Sequence, residues 1–272
     1  MSGHMGDEAT MCVLGNGARA VDLDGRVAVV TGASHGLGAG MSERFLELGL
    51  RVAMCGRKRP EPPPRAGRHH VLALSADVRD SSGIEGFGAA AIERFGRIDL
   101  WVNNAGVIEP IGKLADADPG MLAHHISVNV IGVVNGTRTF ARHVRRRPGG
   151  GVLVNISSGA ATTVYPGWAV YCASKAAVDR LTAVVAQEEE AQGLRVYSLA
   201  PGMVDTAMQQ KVRESTPEAF PAVDRFREAK LSGHFNSPEW VADAVLELAF
   251  GDVEIESGSA VRVPDEWDRG AN

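Results

Sequence analysis

The chain has 272 residues, 44% of them hydrophobic and 22% charged, with a formal net charge of -5. That length suits one large α/β domain or two small ones with a substantial core, and the negative balance gives no support for a general nucleic-acid or anionic-membrane surface. Cys12, Cys55 and Cys172 are odd in number and lack metal-ligand spacing, which argues against a disulfide framework or a metal site and for a reducing, cytoplasmic setting. No apolar run approaches the roughly 18 residues that span a bilayer, and the N-terminus lacks the charged start and long apolar segment of a signal peptide. Residues 1–22 are Gly-rich and weakly patterned and read as a loose extension; 23–272 read as one domain.

After Asp24-Gly25, the run Arg26 to Thr31 reads as a strand buried on both faces. It leads into Thr31-Gly32-Ala33-Ser34-His35-Gly36-Leu37-Gly38 and then a helical pattern with Met41, Phe45 and Leu48 on one face. In this strand–loop–helix context, Gly32 permits a sharp turn, Gly36 lets backbone approach a pyrophosphate, and Gly38 allows close helix–sheet packing. The second strand, Leu50–Cys55, ends at Gly56-Arg57-Lys58-Arg59. In a dinucleotide fold an acid at this point would bond the ribose 2′-hydroxyl, whereas arginine and lysine accommodate a 2′-phosphate. The cations at Arg57 and Lys58 therefore predict NADP(H). Val71–Leu74 reads as the third strand, with Asp77-Val78 at its end, Ile84–Phe95 as a helix, and Ile98–Val102 as the fourth strand, running into Asn103-Asn104-Ala105-Gly106. A helical pattern over Met121–Arg146 is interrupted at Asn129 and Gly132, and Asn129 sits among apolar neighbours, so a buried amide served by a helix distortion or a water-linked relay is expected.

Val152–Ile156 predicts a buried strand ending at a serine pair, and a helix begins near Tyr171. Tyr171 and Lys175, four apart, share one helical face. An ammonium beside a phenol favours the phenolate, so the Tyr171 pKa is expected to fall towards neutrality and give a usable proton donor and acceptor. Ser158, at the end of the strand, is placed to hold a substrate oxygen near that phenol. The helix runs to Gln192, Leu194–Leu199 is the next strand, and Pro201-Gly202-Met203-Val204-Asp205-Thr206 follows. Residues 207–237, carrying Met208, Phe220, Phe226, Leu231 and Phe235, read as a mobile segment and a candidate substrate lid before a last helix (Pro238–Phe250) and a final strand (Gly258–Val263). The βαβ alternation predicts an α/β fold, a single-domain Rossmann-like doubly wound parallel sheet with helices on both faces.

These residues, in this order and spacing, resemble the short-chain dehydrogenase/reductase family over about 24–265: Thr31-Gly32-x-x-x-Gly36-x-Gly38, Asn103-Asn104-Ala105-Gly106, Asn129, Ser158, Tyr171-x-x-x-Lys175 and Pro201-Gly202-x-x-x-Thr206. The resemblance implies a hydroxyl/carbonyl oxidoreductase in which Tyr171 is the general acid, Ser158 orients the carbonyl, Lys175 bonds the nicotinamide ribose, and Asn129 anchors a proton-relay water. It also implies cofactor contacts from Ser34, His35, Leu37, Asn103, Ala105, Gly106, Pro201, Gly202 and Val204, with Asp77 and Val78 at adenine and Thr206 at the carboxamide end. A small carbonyl or alcohol substrate and a homodimer or homotetramer follow by the same resemblance. Within the family, Gly167–Lys175, Val204–Gln209 and the tail from Ser237-Pro238-Glu239 to Ser257-Gly258 are most similar to sepiapterin reductase and the benzil reductase-like enzymes, NADPH-dependent reducers of vicinal dicarbonyls. An acid in the last strand of sepiapterin reductase aligns with Arg262, which disfavours a pterin, although Asp265 lies three residues on. Trp168 and Met203 are expected to shape the pocket. A ketoacyl, sugar or steroid reductase, or a non-catalytic NADP(H) sensor on the same fold, are the alternatives.

Overall fold

The computed structural model describes residues 23–64, 67 and 69–268; the extension expected at 1–22 lies outside them. Strand β1 (Val27–Thr31) is buried along its whole length. Its side chains alternate between faces: Ala28 and Val30 join one apolar cluster, Val27 and Val29 the other. A sheet covered on both sides requires this arrangement, and the inner strands repeat it.

From β1 the chain passes into α1 (Gly36–Glu47), β2 (Arg51–Gly56), β3 (Val71–Ser75), α2 (Ser81–Phe95) and β4 (Leu100–Asn103). Then come α3 (Pro119–Ile126), a π turn at Ser127–Ile131, α4 (Gly132–Val144), β5 (Gly151–Ile156), α5 (Ala169–Glu189) and β6 (Leu194–Ala200). Helices α6 (Ala207–Arg213), α7 (Val223–Ser232) and α8 (Pro238–Phe250) precede β7 (Ala260–Arg262). Local chemistry sets several boundaries: Asp80, Asp118 and Ser237 cap α2, α3 and α8 through their side chains, and Pro opens α3 and α8.

The seven strands are parallel in the order β3-β2-β1-β4-β5-β6-β7. Strand order reverses between β1 and β4, so a crevice opens at their carboxyl ends, where such sheets bind ligands. Met41 and Phe45 of α1 and Val241 and Val245 of α8 pack on one face. Phe87 of α2, Phe140 of α4 and Val185 of α5 pack on the other.

A third apolar cluster sits above the crevice, where Ile108, Trp168 and Tyr171 meet Val212, Phe220, Val223 and Phe226. The segment expected to be mobile is therefore a packed helical cap. Phe220 is fully buried and stacks on Trp168 with ring centroids 4.3 Å apart. Asp205 ties α6 to α7 by accepting from Arg213 at 2.9 Å and from Lys230. Two of the residues expected to line the pocket do not: Leu231 is 87% exposed, and Phe235 packs under the Arg213 and Lys230 cations instead.

Candidate active site

Strand β5 delivers Ser157 and Ser158 to the crevice, and α5 lays Tyr171 and Lys175 beside them. Both helical side chains are buried, and the Lys175 ammonium donates to the Ile156 carbonyl at 2.8 Å. It lies 5.7 Å from the centroid of the Tyr171 ring. Burial pushes the Tyr171 phenol up to about 12, against a downward pull from the Ser158 hydroxyl. Burial also brings Lys175 down to about 8. The expectation that Lys175 draws the phenol towards neutrality is thus corrected. Loss of water is the largest influence on both groups, since desolvation penalises whichever form is charged. Burial therefore favours the protonated phenol.

Asn129 lies inside the π turn, at the interruption read from the sequence. Its amide is fully engaged: Oδ1 accepts from the Val107 N–H at 2.8 Å and Nδ2 donates to the Val107 carbonyl at 2.8 Å. Nδ2 also meets His125 Nε2 at 2.8 Å, while His125 Nδ1 meets the Glu109 carbonyl at 2.7 Å. Asn129 therefore does not line the crevice with its side chain; it holds the loop after β4 against α5.

The opposite wall belongs to the glycine loop. Gly32 has φ +68°, and a Cβ there would come within 2.6 Å of the Ala105 Cα. A Cβ on Gly38 would lie 2.4 Å from Asn104 Nδ2. His35 precedes α1 without a side-chain cap, leaving its first-turn N–H groups directed at the crevice. These features fit a pyrophosphate. Arg57 and Lys58 line the same cavity, with their carbonyls held by Ser75 Oγ at 2.7 Å and Ser34 Oγ at 3.0 Å. Asp77, held below the usual carboxylate range by its bond to Arg79, and Val78 close that side.

The cavity measures about 980 Å³ and reaches from Arg57 and Asp77 to Ser158, Tyr171 and Lys175. Its far wall is aromatic: the Trp168 ring sits 5.3 Å from Tyr171, 5.1 Å from Tyr165 and 5.3 Å from Phe226. Arg262 and Asp265 both reach the cavity and pair with each other at 3.2 Å, so neither faces it alone.

The description of the short chain dehydrogenase family matches residues 26–217. The chain belongs to that family. Among curated relatives of this dehydrogenase, the benzil reductase ((S)-benzoin forming) of Bacillus subtilis (strain 168) is 30% identical over 223 residues, 81% of this chain and 91% of that protein. The 2-(R)-hydroxypropyl-CoM dehydrogenase of Xanthobacter autotrophicus is 36% identical over 244 residues, covering 87% and 96%. Among solved structures, the 3-ketoacyl-(acyl-carrier-protein) reductase from Brucella melitensis, complexed with NADH, superposes with a TM-score of 0.78 at 28% identity, covering 89% of this chain and 98% of that one. The chain is a hydroxyl/carbonyl oxidoreductase similar to benzil reductase, with a nicotinamide cofactor.

Most residues singled out from the dehydrogenase's sequence converge on the cavity: Gly32, Ser34 to Gly38, Arg57, Lys58, Asp77, Val78, Ala105, Gly106, Ser158, Tyr171, Lys175, Pro201, Gly202, Val204 and Thr206. Asn103 does not. Its amide faces the core, taking the Trp101 Nε1 proton at 2.8 Å and donating to Asn155 Oδ1 at 2.9 Å. Its neighbour Asn104 does the work at the crevice, donating to the carbonyls of Thr31 at 2.9 Å and Gly32 at 3.1 Å. Alternation along a strand end carries that distinction, since adjacent residues face opposite sides. Tyr165, Arg225 and Trp267 also line the cavity. They come from loops and a cap helix without a motif, and no local signal marks them. Among the described residues no helix is long and apolar enough to cross a membrane.

Proposed function

We propose that this dehydrogenase uses NADP(H) to reduce an α-diketone, or a similarly small aromatic or aliphatic ketone, with Tyr171 as general acid. One observation carries the reading: the Ser158–Tyr171–Lys175 group shares a cavity with an aromatic wall and with the Arg57 and Lys58 pair. Ser158 and Tyr171 would hold the carbonyl oxygen between two hydroxyls, and the phenol would donate its proton to that oxygen. A bound nicotinamide supplies the hydride. Lys175 would stabilise the phenolate left behind and bond the ribose, while Asn129 keeps the loop beside them in place. Trp168, Phe226 and Tyr165 offer flat apolar surface to an aryl group. Arg57 and Lys58, where an acid would select a 2′-hydroxyl, favour the 2′-phosphate. Similarity to benzil reductase agrees with this substrate class.

A second reading is a secondary-alcohol dehydrogenase of another substrate class, favoured by the 36% identity to the hydroxypropyl-CoM enzyme. In either case we take the enzyme to act in the cytoplasm as a homodimer or homotetramer, for which the exposed Ile131 and Val184 beside α4 and on α5 offer apolar surface. The test is NADPH and NADH oxidation with benzil and 1-phenyl-1,2-propanedione. Turnover should favour NADPH, and Tyr171→Phe should lower kcat by about 10²- to 10⁴-fold while cofactor affinity is kept. Undiminished turnover in that variant refutes the general-acid role.

A further inference from the structure

The segment 207–237 contains five Lys and Arg residues, and four are committed to carboxylates: Lys211 to Glu109, Arg213 and Lys230 to Asp205, and Arg227 to Asp224. Among the described residues the fifth, Arg225, makes no ion pair. It lines the substrate end of the cavity from α7, and its Nη1 donates to the Tyr165 hydroxyl at 3.0 Å. That contact uses one of five guanidinium donors and leaves the Tyr165 proton free to donate in turn. Tyr165 and Tyr171 both pack on Trp168, at 5.1 and 5.3 Å, so one aromatic wall links the residue that Arg225 contacts to the Tyr171 phenol. The nearby Arg262 is already neutralised by Asp265.

We propose that Arg225 and Tyr165 form an anion subsite at the mouth of the substrate pocket, which makes the preferred substrate a ketone bearing a carboxylate at its distal end. The proposal rests on the carbonyl-reductase reading and narrows its substrate class. The carbonyl sits at Ser158 and Tyr171, the apolar body lies along Trp168 and Phe226, and the carboxylate takes a forked pair of bonds from Arg225 and one from Tyr165. An uncharged diketone fills the same pocket without this anchor and is a weaker ligand.

The probes are 5-oxo-5-phenylpentanoate and its methyl ester, which differ at the distal charge and little else. Affinity is read from quenching of tryptophan fluorescence in NADP⁺-saturated protein, and kcat and KM are measured separately for both probes and for benzil. The acid should bind wild type about 10-fold or more tightly than the ester, as a charge-assisted contact implies. Arg225→Gln should remove that preference through Kd and KM with kcat within about twofold, Arg225→Lys should restore part of it, and the ester should bind both variants as it binds wild type. The ester arm also reports that the pocket is intact in each variant. Equal affinity of acid and ester in wild type, or an equal loss for both in Arg225→Gln, overturns the subsite. Absence of benzil turnover together with an intact acid preference would instead count against the diketone reading and leave the subsite standing.

Discussion

Replacing Arg57 with alanine separates cofactor selectivity from catalysis. The loop that carries Arg57 is held by main-chain oxygens, with Ser75 Oγ on the Arg57 carbonyl at 2.7 Å and Ser34 Oγ on the Lys58 carbonyl at 3.0 Å. Truncating the side chain therefore leaves the loop geometry in place. Among the described residues neither Arg57 nor Lys58 makes an ion pair, so the change strands no buried partner. A charge-assisted hydrogen bond contributes about 1.5–3 kcal/mol. Arg57 is exposed, which puts the effect in the lower half of that range, about 10- to 40-fold in affinity. The KM for NADPH should rise by that factor, while the KM for NADH, which has no 2′-phosphate, should stay within about twofold. The catalytic constant should be unchanged, because Tyr171 and Lys175 are untouched. Initial-rate measurements with both cofactors at low and high salt decide the matter, and added salt should weaken NADPH binding more in wild type than in the variant. An equal shift for both cofactors, or no shift with NADPH, refutes the 2′-phosphate argument.

Two further outcomes follow from burial. Lys175 falls from 10.5 to about 8 on burial, a shift equivalent to about 3 kcal/mol against its charged form. Between those values the unfolded chain binds the extra proton, so the stability due to Lys175 increases as pH rises from 8 towards 10.5 and is constant below 8. Urea midpoints of wild type should accordingly gain on those of Lys175→Met across that window; a pH-independent difference would show that the ammonium is not penalised. Phe220 is fully buried against Trp168 and Phe226, so Phe220→Ala should cost about 3–5 kcal/mol in urea unfolding. A loss under about 1 kcal/mol would mean that the cap is not part of the cooperative core.

Much of the site was legible because its residues are tied to local geometry. The glycine loop announces itself by sitting between a strand and a helix, and the Tyr171 and Lys175 pair by helical spacing. Asn129 stood out as an amide in an apolar run, and the π turn is the distortion that its position called for. Misreadings arose where a side chain's direction or surroundings mattered. Asn103 and Asn104 are adjacent and chemically identical, yet one faces the core and the other the crevice. The pull of Lys175 on Tyr171 was inferred from adjacency alone, and adjacency says nothing about how much water both have lost. Residues 207–237 looked mobile because they have little strand character, but Phe220 and Phe226 find Trp168, more than fifty positions earlier in the chain, through the tertiary fold.

The sequence by itself determined the layered α/β architecture and the crevice, and it singled out the proposed trio of Ser158, Tyr171 and Lys175, since hydrophobic period, glycine placement and i,i+4 spacing act over short distances along the chain. Only the tertiary structure decided that the cap packs on the pocket, that Arg262 and Asp265 neutralise each other, and that, among the described residues, Arg225 pairs with no carboxylate. Those outcomes depend on which distant segments meet, and on how far each charged group is removed from water when they do.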